Sequence, residues 1–298
     1  MVTNPEVIDE VRELMKKHIR DLFFRKIFSK YIQQRIFVEK SMYSFGTVTL
    51  LGHVDLEMYL VFLKSFLVHT NVKPLVIILD DGTLTNNDIN MIKKNSCRIV
   101  VISVDESYDY VVNNFVNHEL ILKYIRLNVL NRKLIDLFLI KEKLHVERIL
   151  LVDSDVIFFN KPELIISFAK GIDNKNRYIS DYQNSYICDV EVIKKIFRVQ
   201  IIKKFNSGLM TLNLNILKKE DVDKYYFLFN TNRNKYNFDY EMMEQTAFAV
   251  LLSDTQIFRL PRTYYIGMKT NKFLTMICRH YVRPTRHLYI NGLEKLVD

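Results

Sequence analysis

Apolar side chains at Ile8, Val11, Leu14, Met15, Ile19, Leu22 and Phe23 recur three and four positions apart behind Asn4-Pro5-Glu6, which supplies an N-cap and a proline at the first helical position. This spacing predicts an N-terminal helix running to about Val38. From Thr47 the period shortens. TVTLLG, PLVIILDDG, CRIVVISVD and RILLVDSDVIFF are apolar, β-branched runs of strand length, while LEMYLVFLKSFLVHT, NNDINMIKKN and a stretch around Glu119–Ile140 keep helical spacing between them. The alternation predicts an α/β fold with a mostly parallel sheet, because strands this apolar must be covered by helices on both faces. After Pro162 the pieces shorten to strands near YISDY and SGLMTLN and helices in KKEDVDKYYFLFN and EMMEQTAFAVLLS, with a loop over Asn230–Tyr240. This half reads as α+β. The expected organisation is an N-terminal helical extension (1–45) followed by two halves, 46–160 and 161–298, of one continuous domain.

Composition narrows the class. Of 298 residues, 49% are hydrophobic and 26% charged, and 7 glycines and 5 prolines leave no room for linker or collagen-like tracts, which excludes a disordered chain. Cys97, Cys188 and Cys278 are odd in number and widely spaced, so neither a disulfide framework nor a thiolate zinc site is indicated and a reducing compartment is expected. The opening MVTNPEVIDE is acidic where an export signal is basic and then apolar, and the charge-free run Ser41–Val54 is too short and polar to cross a bilayer. A cytoplasmic protein is expected, soluble or peripheral. The formal net charge of +9 favours an anionic partner: a nucleotide diphosphate, a nucleic acid or an acidic membrane face. Lys16, Lys17, Arg20, Arg25, Lys26, Lys30 and Arg35 give the N-terminal helix a basic face, compatible with packing on the main body or with peripheral contact to anionic lipid.

Asp153-Ser154-Asp155 ends the strand RILLV and holds two carboxylates at a strand's carboxyl end, where both can reach a hard divalent cation and its phosphate oxygens. A second D-x-D, Asp221-Val222-Asp223, lies in a charged helical context and is read as structural. In context, LLVDSDVIFFNKPEL resembles the strand and D-x-D of the family 8 glycosyltransferases, nucleotide-sugar enzymes of the GT-A fold, and VIILDDGTLT resembles the nucleoside-binding corner of GT-A enzymes. The resemblance spans roughly Thr47–Leu296.

It implies roles for particular residues. Asp80 or Asp81 would bind the base or ribose, and Lys133, in a basic helix ahead of the metal motif, would face the donor diphosphate or sugar. Ser154 would lie against the same donor. Asn206-Ser207-Gly208 resembles the segment lining the sugar site, and Glu244-Gln245-Thr246 resembles the family's D-Q-D or D-Q-N signature with two substitutions. His280-Tyr281 followed by Arg286 resembles H-Y-x-G-x-x-K, which makes His280 the third metal ligand beside Asp153 and Asp155 and sets Arg286 on the diphosphate, with Arg283 standing where the family has glycine. Asp181 matches an acidic position near the donor sugar. The implied cofactors are Mn²⁺ or Mg²⁺ and a nucleotide sugar, a UDP-sugar first. The acceptor would be a glycan, a lipid-linked saccharide or a protein, with no nucleic acid involved. Asp181, Glu244 and Gln245 are the candidates nearest the chemistry, and the family tilts the stereochemistry toward retention.

Two rivals fit less well. A haloacid dehalogenase-like phosphatase needs aspartates two residues apart before Gly-Thr, but Asp80 and Asp81 are adjacent and Asp155 precedes Val156-Ile157. A non-catalytic basic module for nucleic acid or membrane has the charge but no zinc finger, RNA-binding signature or glycine-rich clamp.

Overall fold

The computed structural model describes residues 25–32, 45–95, 98–268 and 274–297. Within the strand Leu75–Asp80 (β2) successive side chains point to opposite faces, and both faces are buried: Val76 and Ile78 enter one core, Ile77 and Leu79 the other. That is why the run reads as continuously apolar. Phe45–Leu51 (β1), Ile99–Ile102 (β3) and Arg148–Val152 (β4) extend a parallel sheet around β2. Phe205–Asn213 (β7) runs antiparallel to both β4 and Asn176–Ser180 (β6), and Ile257–Arg259 (β8) lies parallel to β6 at the edge. The strand order is β3-β2-β1-β4-β7-β6-β8. The fold is the expected mixed α/β architecture with a mostly parallel central sheet.

Helices Val104–Asn114 (α4), His118–Leu127 (α5), Arg132–Leu144 (α6), Lys219–Asn232 (α9) and Met243–Leu251 (α10) bury their apolar sides on one face. Leu56–Thr70 (α2), Glu163–Ala169 (α7) and a helix over residues 25–32 (α1) cover the other. In α1, Ile27, Phe28 and Tyr31 are buried while Arg25, Lys26 and Lys30 stay exposed, so this piece packs on the body. The buried Lys64 of α2 holds it there: its ammonium donates to the Tyr31 carbonyl and lies 4.6 Å from the Tyr31 ring centroid. The rest of the predicted N-terminal helix, and Cys97, lie outside the described residues.

Three local expectations change. The helix read around Glu119–Ile140 is two helices, because Asn128 turns its side-chain oxygen onto Leu130 N (3.0 Å) and Asn131 donates to the carbonyls of Tyr124 and Asn128, spending on a tight turn the groups a continuous helix would use. Helix α4 was not anticipated; its signal is Ser103-x-x-Glu106, whose serine oxygen accepts from Glu106 N at 3.1 Å. RILLVDSDVIFF is likewise two strands. After β4 the chain turns through Asp153-Ser154-Asp155 and enters Val156–Phe158 (β5), which belongs to a second, three-stranded sheet with Cys278–His280 (β10) and Tyr264–Tyr265 (β9). In the second D-x-D, Asp223 accepts from Asn117 N at 2.8 Å and Val116 N at 3.3 Å, fixing the start of α5.

Candidate active site

The D-S-D turn is where the chain passes from one sheet to the other, and each side of it is pinned. Asp153 N donates to Gly208 O of β7 at 2.9 Å, and Tyr281 N, just past β10, donates to Asp155 O at 2.9 Å. Antiparallel pairing of β10 with β5 sets His280 opposite Val156, one residue beyond Asp155. Thus residues more than a hundred positions apart meet because two sheets share one turn. Ser154 is buried within that turn.

His280 Nε2 lies 3.1 Å from Asp155 Oδ1 and 3.5 Å from Asp153 Oδ2, and one ligand atom from each of the three residues falls within 4.8 Å of the others. The other ring nitrogen decides the tautomer. Nδ1 is 3.1 Å from Asn206 Oδ1, an atom that also accepts from Gly208 N at 2.9 Å, while Asn206 Nδ2 donates toward Asp181 Oδ2 at 3.4 Å. The Asn206 amide is therefore oriented at both ends and its oxygen accepts from Nδ1–H, which leaves Nε2 to face the carboxylates, as a proton donor when the ring is charged or as a lone pair toward a bound cation. Asp155 Oδ1 is buried and receives no hydrogen bond. Three converging lone pairs need positive charge between them, so the donor set fits a divalent cation bound by two carboxylates and an imidazole. Burial alone would lower the His280 pKa, but Asp155 and Asp153 outweigh it and raise it above the ordinary imidazole value, the same demand expressed as a proton.

Cationic side chains flank the three. Lys133, buried in the first turn of α6, meets Asp153 Oδ1 at 2.8 Å and Glu244 Oε1 at 3.4 Å. Burial would lower its pKa, yet the two carboxylates raise it, so it is permanently charged. Burial would raise Asp153 as well; Lys133 and His280 together hold its carboxyl below the ordinary range. Arg286, in the 3-10 segment Arg283–Leu288, places Nε 2.9 Å from Asp155 Oδ2 and Nη1 3.4 Å from Asp55 Oδ1. Asp153 is 33% exposed and Asp155 4%, so the cluster opens to solvent on the Asp153 side.

Glu244 is raised by burial, against the opposing pull of Lys133, and accepts from Ser207 Oγ at 2.8 Å. Gln245 bridges Ser207 N (3.3 Å) and Ser185 O (2.6 Å). Asp181 accepts from Tyr182 N at 2.7 Å and lies against Asn206. Asp181, Asn206, Ser207, Gly208, Glu244 and Gln245 thus form one buried network behind the Asp153-Asp155-His280 cluster. Asp80 and Asp81 sit apart from it, at the carboxyl end of β2. Asp80 Oδ1 accepts from Gly82 N and Leu84 N (2.8 and 3.2 Å), and Asp81 Oδ1 from Thr83 N and Oγ1 (2.9 and 2.6 Å), so each spends one oxygen on the turn. The Asp81 carboxylate packs against Gly52 at the end of β1, in space a side chain there would fill.

Sequence reasoning passed over two positions. Asp55, at the start of α2, is raised by burial and by the negative charge of Asp155, Asp153 and Asp81, which together outweigh Arg286. Nothing beyond an acid a few residues after a strand signals it. Arg132 is fully buried, ion-paired to Asp136 (2.9 Å), and donates to the carbonyls of Asp80, Ile102 and Ser103, tying α6 to the ends of β2 and β3. Its i,i+4 spacing to Asp136 was the available sign.

A family model, glycosyl transferase family 8, matches residues 24–283. The chain belongs to that family, whose activity is sugar transfer. No curated protein sequence matches it. Among solved structures it resembles mouse xyloside xylosyltransferase 1 in its apo form (12% identity, TM-score 0.55, 81% of this chain and 98% of the other) and an active-site mutant of LgtC (14%, 0.52, 85% and 95%). The galactosyltransferase LgtC in complex with donor and acceptor sugar analogs also matches (13%, 0.51, 85% and 94%). At these identities the likeness is one of fold, and that fold is GT-A. No helix among the described residues is long and apolar enough to cross a membrane.

Proposed function

We propose that the protein transfers a sugar from a nucleotide-diphosphate donor, a UDP-sugar first among candidates, to an acceptor hydroxyl on a glycan, lipid-linked saccharide or protein, with Mn²⁺ or Mg²⁺ as cofactor. The observation that carries this reading is the convergence of Asp153, Asp155 and His280 within 4.8 Å between Lys133 and Arg286. A divalent cation held by those three would supply Lewis-acid charge against a departing diphosphate. Lys133 and Arg286 add fixed charge on either side; preorganised charge of this kind is worth roughly 100-fold or more in rate. The Asp80-Asp81 corner beside Gly52 lies at the carboxyl ends of β1 and β2, where ligands bind in such sheets, and is assigned to the nucleoside. Residues 46–160 then form the donor half and 161–298 the acceptor half with the C-terminal metal and diphosphate segment.

Both carboxylates nearest the chemistry are engaged, Glu244 by Ser207 and Lys133 and Asp181 by Tyr182 and Asn206, so neither is a free base facing an acceptor. This supports retention, and the anomeric configuration of a transfer product tests it. The unpaired Cys188 and Cys278 support a reducing, cytoplasmic setting. The founding experiment is thermal stabilisation by UDP, GDP and CMP with and without Mn²⁺. A ligand at 100 times its dissociation constant adds about 2.7 kcal/mol. Stabilisation by one nucleotide only when metal is present is the expected result; none under any condition refutes the donor site.

A further inference from the structure

The 3-10 segment Arg283–Leu288 carries a second guanidinium, at the position where the resembled motif has glycine. Side chains three apart on a 3-10 helix eclipse, so Arg283 lies on the face of Arg286, one turn earlier. From that face Arg286 reaches Asp155 and Asp55, and Arg283 Nη1 meets Glu241 Oε2 at 3.0 Å. Glu241 belongs to the 3-10 turn Tyr240–Met242 that feeds α10, three residues ahead of Glu244, whose carboxylate faces Lys133. The Arg283–Glu241 pair therefore joins the two segments that close on the metal-ligand cluster, one turn outward on each side: Arg283 is 83% exposed and Arg286 45%, Glu241 63% exposed and Glu244 buried.

We propose that Arg283 is a second guanidinium for the donor's diphosphate, parked on Glu241 and exchanged onto the phosphate when the donor enters. The inference rests on the donor-site reading above and adds to it a residue that the family motif lacks. Magnitudes set the direction of the exchange. A solvent-exposed ion pair is worth at most a few-fold in an equilibrium constant, whereas a charge-assisted, bidentate guanidinium–phosphate contact is worth about tenfold or more. Glu241 is thus a weak competitor. Where a glycine would let backbone approach the phosphate closely, this chain has a long side chain that reaches it from the rim.

The test is calorimetric titration of the full chain in Mg²⁺ with UDP, GDP and inorganic pyrophosphate, the last probing the diphosphate site whatever the base. Arg283→Ala is expected to weaken nucleoside diphosphate and pyrophosphate binding about tenfold, with Arg283→Lys between it and the parent. Glu241→Gln is expected to strengthen both two- to threefold, because it releases Arg283. A pair that merely braces the fold would move both variants in the same direction. Both variants weakening, or neither changing while the parent binds, overturns this inference and leaves the donor site standing. A parent chain that binds none of the three probes overturns the donor-site reading and this inference with it. Both positions are exposed, and unchanged circular dichroism verifies that the variants fold.

Discussion

Gly208 is the most exacting position in the site. It sits inside β7, and a Cβ built on it would lie 2.6 Å from His280 Nδ1 and 2.7 Å from Asp153 Oδ2, and closer still to His280 Cε1. Ordinary contacts begin near 3.5 Å, so Gly208→Ala must displace the imidazole and the carboxylate by about 1 Å. His280 is buried and tied to Asn206, and Asp153, open to solvent on one side, can move only by straining its ion pair with Lys133. Overpacking of this kind costs about 1–3 kcal/mol, a fall of a few degrees in Tm. The site suffers far more than the fold, since a 1 Å misplacement of reacting groups costs about 100-fold. Expected, then, are a folded protein by circular dichroism, a modest loss in Tm, loss of the stabilisation by Mn²⁺ with UDP, and transfer reduced at least about 100-fold. A folded Gly208→Ala protein that Mn²⁺ and UDP still stabilise as they do the parent would refute the assignment of His280 and Asp153 to one metal.

Gly52→Ala should separate the two halves of the donor site: its Cβ would lie 2.7 Å from Asp81 Cγ and 2.9 Å from Thr83 Oγ1, so nucleotide-dependent stabilisation falls about tenfold in affinity while stabilisation by Mn²⁺ alone persists. Lys133→Met leaves Asp153 and Glu244 facing each other without their cation and should destabilise the metal-free protein by about 3–5 kcal/mol, read by urea denaturation. The His280 pKa is raised in the folded state, so its contribution is complete below the unfolded value near 6.5 and is lost as pH rises through the folded value; the Tm of the EDTA-treated protein should fall from pH 6 upward, and His280→Gln should flatten that slope. Burial and Asp189 push the Cys188 thiol up to about 11 from 9.0, so near pH 8 its thiolate fraction, and its rate of alkylation in the folded protein, should be about 100-fold below that of an unshifted thiol.

Much of what depends on neighbours along the chain was legible in the sequence, although the Ser103 cap of α4 and the Asn128–Asn131 turn, both local, were passed over. Apolar strands alternating with amphipathic helices announce the α/β sheet because burial on both faces makes whole strand runs apolar, as in LVIILD and RILLV. The aspartates of the D-x-D stood out because they end such a strand, and Asn206-Ser207-Gly208, Glu244-Gln245 and His280 were singled out by their resemblance to segments of the family 8 glycosyltransferases. What the chain order alone left open was contact between distant segments. The same Asp-x-Asp spelling is a turn facing an imidazole at Asp153 and a partner of the start of α5 at Asp223, decided by whether His280 or Asn117 stands opposite. Lys133 looks like any helix lysine until α6 buries it between Asp153 and Glu244, and Asp55 acquires a role only through Arg286, 231 residues away. Local periodicity is written in each stretch of sequence, whereas charge pairing and close approach exist only after folding closes those separations, because electrostatic and steric energies depend on distance in space and not along the chain.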